Sequence, residues 1–149
     1  MSSHWIGTAA AVHVRIAVEG GFAMFSHGEQ AAVVRTVPGD WVAYYSPRQG
    51  YREGAELRAF TAIGQVLPGA PGEREIMAGH VGWYRPVRWL AQARPADIYP
   101  LLDRFSFVKN RRHWGMYFRK SLFSIAATDF AQIAAAMGVG DEFSQAASQ

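Results

Sequence analysis

The stretch 105–120 holds the residue types in this sequence that best suit the binding of a planar, charged ligand. It contains aromatic residues, a glycine and cations, with no acidic residue among them. Trp114 precedes Gly115, so a flat ligand could lie on the indole against backbone that carries no side chain. Cations beside an aromatic platform suit a ligand that is planar at one end and anionic at the other, as a nucleotide is. The cations are Lys109, Arg111, Arg112, Arg119 and Lys120.

The same stretch also fits a purely structural role. Aromatic-rich strands fill the cores of β-barrels, and arginines on such strands extend their charged ends to solvent. Residue types alone leave both interpretations open, and the structural one is the more common in proteins.

The sequence offers little support for an enzyme. It contains no cysteine, so thiol nucleophiles, disulfides and cysteine zinc sites are excluded. Ser26 stands beside His27, but no G-x-S-x-G motif occurs, and adjacency in sequence does not place two side chains for proton transfer. An enzyme that acts on a nucleotide or nucleoside would need His27 and Asp40 to converge. We therefore expect a binding protein without catalytic residues and keep such an enzyme as the alternative.

No metal or cofactor is expected either. The sequence has neither the dinucleotide-binding glycine pattern nor the phosphate-binding loop of nucleotide hydrolases. Its histidines do not follow the regular spacing of zinc ligands. They are His4, His13, His27, His80 and His113.

Length and composition indicate one ordinary globular domain. The chain has 149 residues, half of them hydrophobic, and a formal net charge of +3. All but two of its cations are arginine, which binds phosphate through two parallel hydrogen bonds and stacks on bases. It lacks a run of eighteen apolar residues and a basic leader, so we expect a cytoplasmic protein without a membrane partner.

The pattern of elements predicts an α+β fold, with a mostly antiparallel, curled sheet and short flanking helices. Aromatic and β-branched runs predict strands, and Pro47 is expected to end the strand that contains Tyr44. Residues 48–57 read as a polar loop, and 1–140 as one domain followed by a flexible tail, 141–149. The predicted strands are 5–9, 41–46, 58–67, 83–90 and 122–125, and the predicted helices are 10–18, 96–104 and 130–137.

Several short motifs, in this order, resemble those of the EVE domain family, which belongs to the PUA-like superfamily and is related to YTH domains. The resemblance runs from Trp5 to about Met137. It is strongest in Gly-Asp-Trp followed by Tyr-Tyr-Ser-Pro, and in Phe-Thr-Ala-Ile-Gly. The motifs are 5–6, Ala9, His13, 21–22, 27–28, 38–41, 44–47, 60–64, 105–108, 114–115, Arg119 and 129–130.

The resemblance implies a PUA-like, β-barrel-like fold and a nucleic-acid-binding module that reads a modified base in an aromatic pocket. Modified cytosine in DNA is the first candidate, and a modified RNA base is the second. A sensor of small metabolites that uses the same pocket is a further alternative. A monomer is favoured, although the oligomeric state stays open.

The resemblance also carries a set of pocket residues. A base would stack on Trp114 or Phe22, and Ser46 would read its edge. Ala9 stands where many relatives have serine. The pocket set is Trp5, Ala9, Gly21, Phe22, His27, Tyr44, Ser46, Pro47, Arg48, Trp114, Gly115 and Arg119, and the residues expected to contact phosphates are Lys109, Arg111 and Arg112.

Overall fold

The computed structural model describes residues 2–147, with side chains described for residues 2–75 and 78–146. In that part of the chain, eight strands form one curled sheet. They are β1 (His4–Thr8), β2 (Phe22–Ala23), β3 (Trp41–Gly50), β4 (Glu53–Val66), β5 (Gly72–Met77), β6 (His80–Trp89), β7 (Ala96–Asp97) and β8 (Leu122–Ile125). Their order across the sheet is β2-β6-β4-β3-β1-β8, with β5 paired to β6 and β7 paired to β4.

Short helices connect and flank these strands. The described α-helices are α1 (Ala11–Gly20), α2 (Gln30–Val33), α3 (Ala127–Ala136) and α4 (Gly140–Ala147), and the 3-10 segments are Ser26–Gly28, Tyr99–Leu101 and Arg111–Arg119. Among the described strands, β1 and β3 pair in parallel and the other pairs are antiparallel. The predicted α+β class with a mostly antiparallel, curled sheet is therefore confirmed.

Asp40 ties the start of the chain to the start of β3. Its carboxylate accepts hydrogen bonds from the amide of Ser3 at 2.9 Å, the indole Nε1 of Trp5 at 2.9 Å and the amide of Val37 at 3.0 Å. A buried carboxylate is stabilised by such donors. The same side chain thus fixes the turn before Trp41 and holds β1 beside β3.

β3 separates two hydrophobic cores because its side chains alternate between the two faces of the sheet. Trp41, Ala43 and Tyr45 belong to one core, which we call the closed core. Val42 and Tyr44 belong to the other, which we call the cavity-side core. Neighbours in sequence on this strand therefore have different environments.

The hairpin between β3 and β4 is longer than the sequence predicts. β3 continues through Pro47, where the pairing register shifts between Ser46 and Arg48. A bulge tolerates proline because the missing amide hydrogen is not needed for a ladder bond there. The prediction that residues 48–57 form a loop is wrong, since Gly50 pairs with Glu53 at the tip of the hairpin.

One further expectation differs from the structure. The predicted helix 96–104 is instead β7 followed by the 3-10 segment Tyr99–Leu101. The segment expected to be a flexible tail contains α4, which begins at Gly140 and buries Phe143 against Trp41, with ring centroids 5.0 Å apart. Residues 148–149 of that predicted tail lie outside the described residues.

Candidate functional site: a cavity with a cationic rim

A cavity of about 420 Å³ opens on the face of β3 that carries Tyr44. α1 and the end of β1 form one side, and the tip of the β3–β4 hairpin forms another. The 3-10 segment Ser26–Gly28 and the end of the segment Arg111–Arg119 complete the wall. The site is thus assembled from segments that are far apart in sequence.

The floor of the cavity is apolar. Tyr44 is buried, and its ring stacks on Trp89 with centroids 5.3 Å apart. The Tyr44 hydroxyl donates to the carbonyl of Met24 at 2.5 Å and accepts from the Met24 amide at 3.0 Å. Burial raises the pKa of Tyr44 well above its usual range. Its polar atom is already satisfied, so Tyr44 offers a ligand mainly apolar surface. The other floor residues are Ala9, Ala10, Ala17, Phe22 and Met24.

The segment Ser26–Gly28 is a constrained turn that presents His27 to the rim. All three residues have positive φ angles, of 51°, 59° and 86°. A Cβ on Gly28 would lie 2.7 Å from the Cα of Gly82, so the turn packs directly on β6 and requires glycine there. The hydroxyl of Ser26 is hydrogen-bonded to that of Ser121. These contacts fix the turn on both sides.

Backbone strain concentrates around this cavity. Four non-glycine residues of the described chain have positive φ, and three of them line it, namely Ser26, His27 and Arg52. Such conformations cost about 1–3 kcal/mol each and often cluster at binding sites.

The rim is cationic. Six of its side chains are histidine or arginine, and none of the described lining residues is an aspartate or glutamate. Tyr51, 52% exposed, lies between two of these groups, with its ring 5.3 Å from that of His27 and the Arg52 guanidinium 5.2 Å from its centroid. Burial lowers the pKa of His13, and the positive charges of His27 and His80 lower it further. The six are His13, His27, Arg48, Arg52, His80 and Arg119.

The structure brings some of the predicted pocket residues into this cavity and leaves others out. Those that line it are Ala9, Phe22, His27, Tyr44, Pro47, Arg48 and Arg119; those that do not are Trp5, Gly21, Ser46, Trp114 and Gly115.

The excluded polar residues have structural partners. The Trp5 indole donates to Asp40, and its ring lies under the guanidinium of Arg35 at 5.2 Å. Ser46 is fully buried, and its hydroxyl shares a 2.7 Å hydrogen bond with Thr61. Ser46 therefore does not reach the cavity to read a base edge.

Trp114 lies against the closed core, on the opposite face of β3 from Tyr44. Its ring makes edge contacts with Tyr45 at 6.2 Å, Tyr99 at 5.7 Å and Phe118 at 5.8 Å. Trp114 and Gly115 therefore do not line the cavity beside Tyr44, and their role as a wall of a ligand pocket stays a prediction.

The predicted phosphate contacts Lys109, Arg111 and Arg112 are exposed but do not line the cavity. Arg111 is paired with Asp103, with nitrogen and oxygen 2.9 Å apart. Their role at a nucleic-acid backbone stays a prediction.

A second, shallower groove adjoins the cavity. It encloses about 770 Å³ and shares Arg119 and Ser121 with the cavity lining. Arg35 and Lys120 add two more cations, and none of its described lining residues is acidic. The cavity and the groove together form one cationic surface.

Sequence reasoning missed three of the six histidine and arginine side chains of the rim, namely His13, Arg52 and His80. Tyr51 and Arg52 were missed because residues 48–57 were expected to form a loop. In the structure they lie at the tip of the long β3–β4 hairpin, which lines the cavity. His80 carries no local signal. His13 lies among the EVE-like motifs, and Ser26 is adjacent to the predicted His27, so both could have been found. The lining residues absent from the predicted set are Thr8, Ala10, His13, Ala17, Met24, Ser26, Gly50, Tyr51, Arg52, His80 and Ser121.

The geometry does not bring the proposed catalytic pair together. Asp40 is absent from the cavity lining, and both of its carboxylate oxygens accept hydrogen bonds from Ser3, Trp5 and Val37. Among the described residues, no group of three or more potential ligand side chains is placed to hold a metal ion. The described helices include none that is long and apolar enough to cross a membrane.

The model of the EVE domain matches residues 3–136. The chain belongs to the EVE domain family. It is 42% identical to the UPF0310 protein msl3206 of Mesorhizobium japonicum over 98% of this chain and 99% of that one. It is 35% identical to the UPF0310 protein YdcG of Bacillus subtilis over 93% and 94% of the two chains. EVE domains are PUA-like and often bind nucleic acid, and the family is not known as enzymatic.

Solved structures share this fold at low sequence identity. The crystal structure of Atu2648 from Agrobacterium tumefaciens is similar with a TM-score of 0.55 and 13% identity, over 94% of this chain and 96% of that one. The NMR structure of Rpa0253 from Rhodopseudomonas palustris is similar with a TM-score of 0.57 and 12% identity, over 92% of this chain and 94% of that one. The architecture is therefore the EVE, PUA-like fold.

Proposed function

We propose that this EVE domain binds nucleic acid and holds one modified base in the cavity beside Tyr44, without transforming it. The observation that carries the proposal is an apolar floor beneath a rim of six histidine and arginine side chains, with no carboxylate among the described lining residues. A volume of about 420 Å³ falls within the range of about 300–1,000 Å³ typical of small-ligand sites.

The floor suits the faces and the apolar substituent of a base. Phe22, Met24 and Tyr44 supply apolar surface there. Tyr51 is the more exposed ring at the mouth and takes the stacking role that the sequence had assigned to Trp114. Stacking of one base on an aromatic ring contributes about 1–3 kcal/mol.

The hydroxyl pair of Ser26 and Ser121 is suited to reading the edge of the base. In such a pair one hydroxyl donates to the other, which leaves one proton and several lone pairs available to a ligand. This pair takes the role that was expected of Ser46.

The adjoining groove favours a polymer over a free metabolite. A strand whose base enters the cavity would pass Arg119, and its neighbouring phosphates could lie along Arg35 and Lys120. Arginine and lysine contacts to phosphates give affinity without sequence preference, whereas the cavity would select the base.

Fluorescence anisotropy with labelled oligonucleotides tests the proposal. DNA with one 5-methylcytosine or 5-hydroxymethylcytosine, RNA with one methylated base, and unmodified partners are compared at about physiological salt. We expect one modified strand to bind at least about tenfold more tightly than its unmodified partner, since a good contact to one base is worth more than 1 kcal/mol.

Equal affinity for modified and unmodified strands would reject a base reader. Binding of free modified nucleosides without binding of any oligonucleotide would indicate a metabolite sensor instead. Chemical turnover of the bound base, detected by mass spectrometry and lost in His27→Asn, would indicate an enzyme.

A further inference from the structure

Three histidines from different parts of the chain meet at the mouth of the cavity. His13 projects from α1, His27 belongs to the turn Ser26–Gly28, and His80 begins β6. His13 is half-buried, and its electrostatic environment includes both of the other imidazoles.

The charged groups that face this cluster are arginines. Arg48 and Arg52 come from the β3–β4 hairpin, and Arg119 comes from the end of the 3-10 segment Arg111–Arg119. The neutral phenol of Tyr51 completes this side of the mouth.

Acidic residues on the same elements are engaged elsewhere. Glu56, which is exposed, pairs with Arg48 at 3.4 Å, and Glu75 accepts a hydrogen bond from the Gly79 amide at 2.9 Å. Neither lines the cavity, nor do Glu29 and Glu53. The cluster therefore has no carboxylate in the described lining to offset its charge.

Burial first, and then the like charges of His27 and His80, favour the neutral form of the His13 imidazole and lower its pKa. An anion at the mouth would reverse that balance. It would favour the protonated imidazoles and would add hydrogen bonds from their N–H groups.

We infer that His13, His27 and His80 hold a phosphate ester on the sugar of the bound nucleotide and take up protons as it binds. The inference rests on the proposed function for the identity of the ligand, and it adds a phosphate subsite at the mouth of the cavity. The phosphate belongs either to a free nucleotide or to the strand on one side of the base. Affinity increases as pH falls, because proton uptake and phosphate binding favour each other.

The first experiment titrates the imidazoles of the full chain by NMR, in sulfate and in chloride at equal ionic strength. Sulfate keeps its double charge across the titration range of histidine, so only the protein titrates. We expect the pKa values of His13, His27 and His80 to rise in sulfate by about half a unit or more. His113, exposed on the 3-10 segment Arg111–Arg119 and outside the cavity, serves as the control and is expected to stay unchanged. Unchanged values at the three cavity histidines, or an equal rise at His113, would overturn the inference.

A second experiment separates the two sources of phosphate. A nucleoside, its 5′-monophosphate and a phosphodiester-linked dinucleotide are compared at about pH 7.5 and pH 5.5, with 5-methylcytosine as the base. We expect a phosphate-bearing ligand, but not the nucleoside, to bind about tenfold more tightly at the lower pH, which corresponds to a mean uptake of roughly half a proton on binding. A gain for the monophosphate alone assigns a terminal phosphate, and a gain for the dinucleotide assigns the strand. An equal gain for the nucleoside would reject the phosphate subsite.

Matched variants identify the titrating groups. His13→Gln suits a helix, and His27→Asn suits a positive φ angle, so both preserve the local backbone. Each is expected to reduce the dependence of affinity on pH, whereas His113→Gln should preserve it. Failure of oligonucleotides to bind, with the sulfate response retained, would reject the proposed function and leave the anion site in place.

Discussion

Tyr44 and Tyr45 are neighbours in sequence but belong to opposite faces of β3, and the two faces are packed differently. On the Tyr45 face, rings contact one another closely, as Tyr45 and Phe118 do with centroids 4.5 Å apart. On the Tyr44 face the packing leaves a cavity of about 420 Å³. Aromatic residues are abundant on both faces, so their abundance does not distinguish a core from a site.

The cations of the two regions differ in the same way. Arg111, beside the closed core, has Asp103 as its partner. At the cavity Arg48 also has a partner, Glu56, but no carboxylate belongs to the described lining of the mouth. A basic aromatic segment is therefore a candidate binding surface only where its rings and charges border an open cavity.

The largest expected effect comes from removing a ring of the closed core. Trp114→Ala should lower the free energy of unfolding by about 2–4 kcal/mol, because it deletes a large side chain packed against Tyr45, Tyr99 and Phe118. The folded fraction should keep its affinity for the modified oligonucleotide. Urea unfolding and anisotropy measure the two quantities. Lost affinity at unchanged stability would indicate that the ligand binds beside Trp114 and not in the cavity.

Filling the cavity should have the next largest effect. It should weaken ligand binding without lowering the stability of the fold. Ala9→Leu places a larger apolar side chain in the cavity, and we expect about a hundredfold loss of affinity, equivalent to about 2.7 kcal/mol. Thermal stability should stay the same or rise. Val12→Leu, on the exposed side of α1, is the matched control and should bind normally. Normal affinity of Ala9→Leu would count against the cavity as the base site.

Replacing a single arginine should have a smaller effect on binding, and that effect should differ between the two regions. Arg119→Gln, at the junction of the cavity and the groove, should weaken binding and lower the slope of log affinity against log salt by about 1. Arg111→Gln should change the slope little, because Arg111 is already paired with Asp103. Anisotropy at several salt concentrations gives both slopes, and the opposite ranking would restore the segment 109–112 as the phosphate contact.

The smallest expected effect is at Gly115. A Cβ added there meets nothing within 4 Å, so Gly115→Ala should be well tolerated by the fold. The sequence predicts that a flat ligand lies against the bare backbone of Gly115. If it does, the methyl group of alanine would reduce affinity. We expect a change of less than about twofold, within the usual range for a surface substitution.

Much of the fold could be predicted from local pattern. β8 has the predicted bounds, and Gly21 ends α1 with a φ of 69° while its amide bonds to the last turn. These features depend on residues close in sequence, where propensity and glycine geometry decide the outcome. The family resemblance supplied the overall topology.

The site was less predictable because it depends on which face of a strand each residue takes. One position along β3 decides whether a residue joins Tyr44 at the cavity or Tyr45 in the closed core. Trp114 and Gly115 were expected to form a ligand wall, yet Trp114 packs against the closed core. The same segment is held by Ser106, which donates to the Asp129 carboxylate from its amide at 2.8 Å and from its hydroxyl at 2.6 Å. Such long-range contacts carry no signal in a local pattern.

Backbone amide chemical shifts during titration with a modified oligonucleotide test the central claim most directly. The claim is that the ligand occupies the Tyr44 face of the sheet. We expect the largest changes at residues 8–10, 26–28, 50–52 and 119–121, with little change at residues 108–116, which do not line the cavity or the groove. Changes concentrated in 108–116, with the cavity segments unaffected, would contradict it.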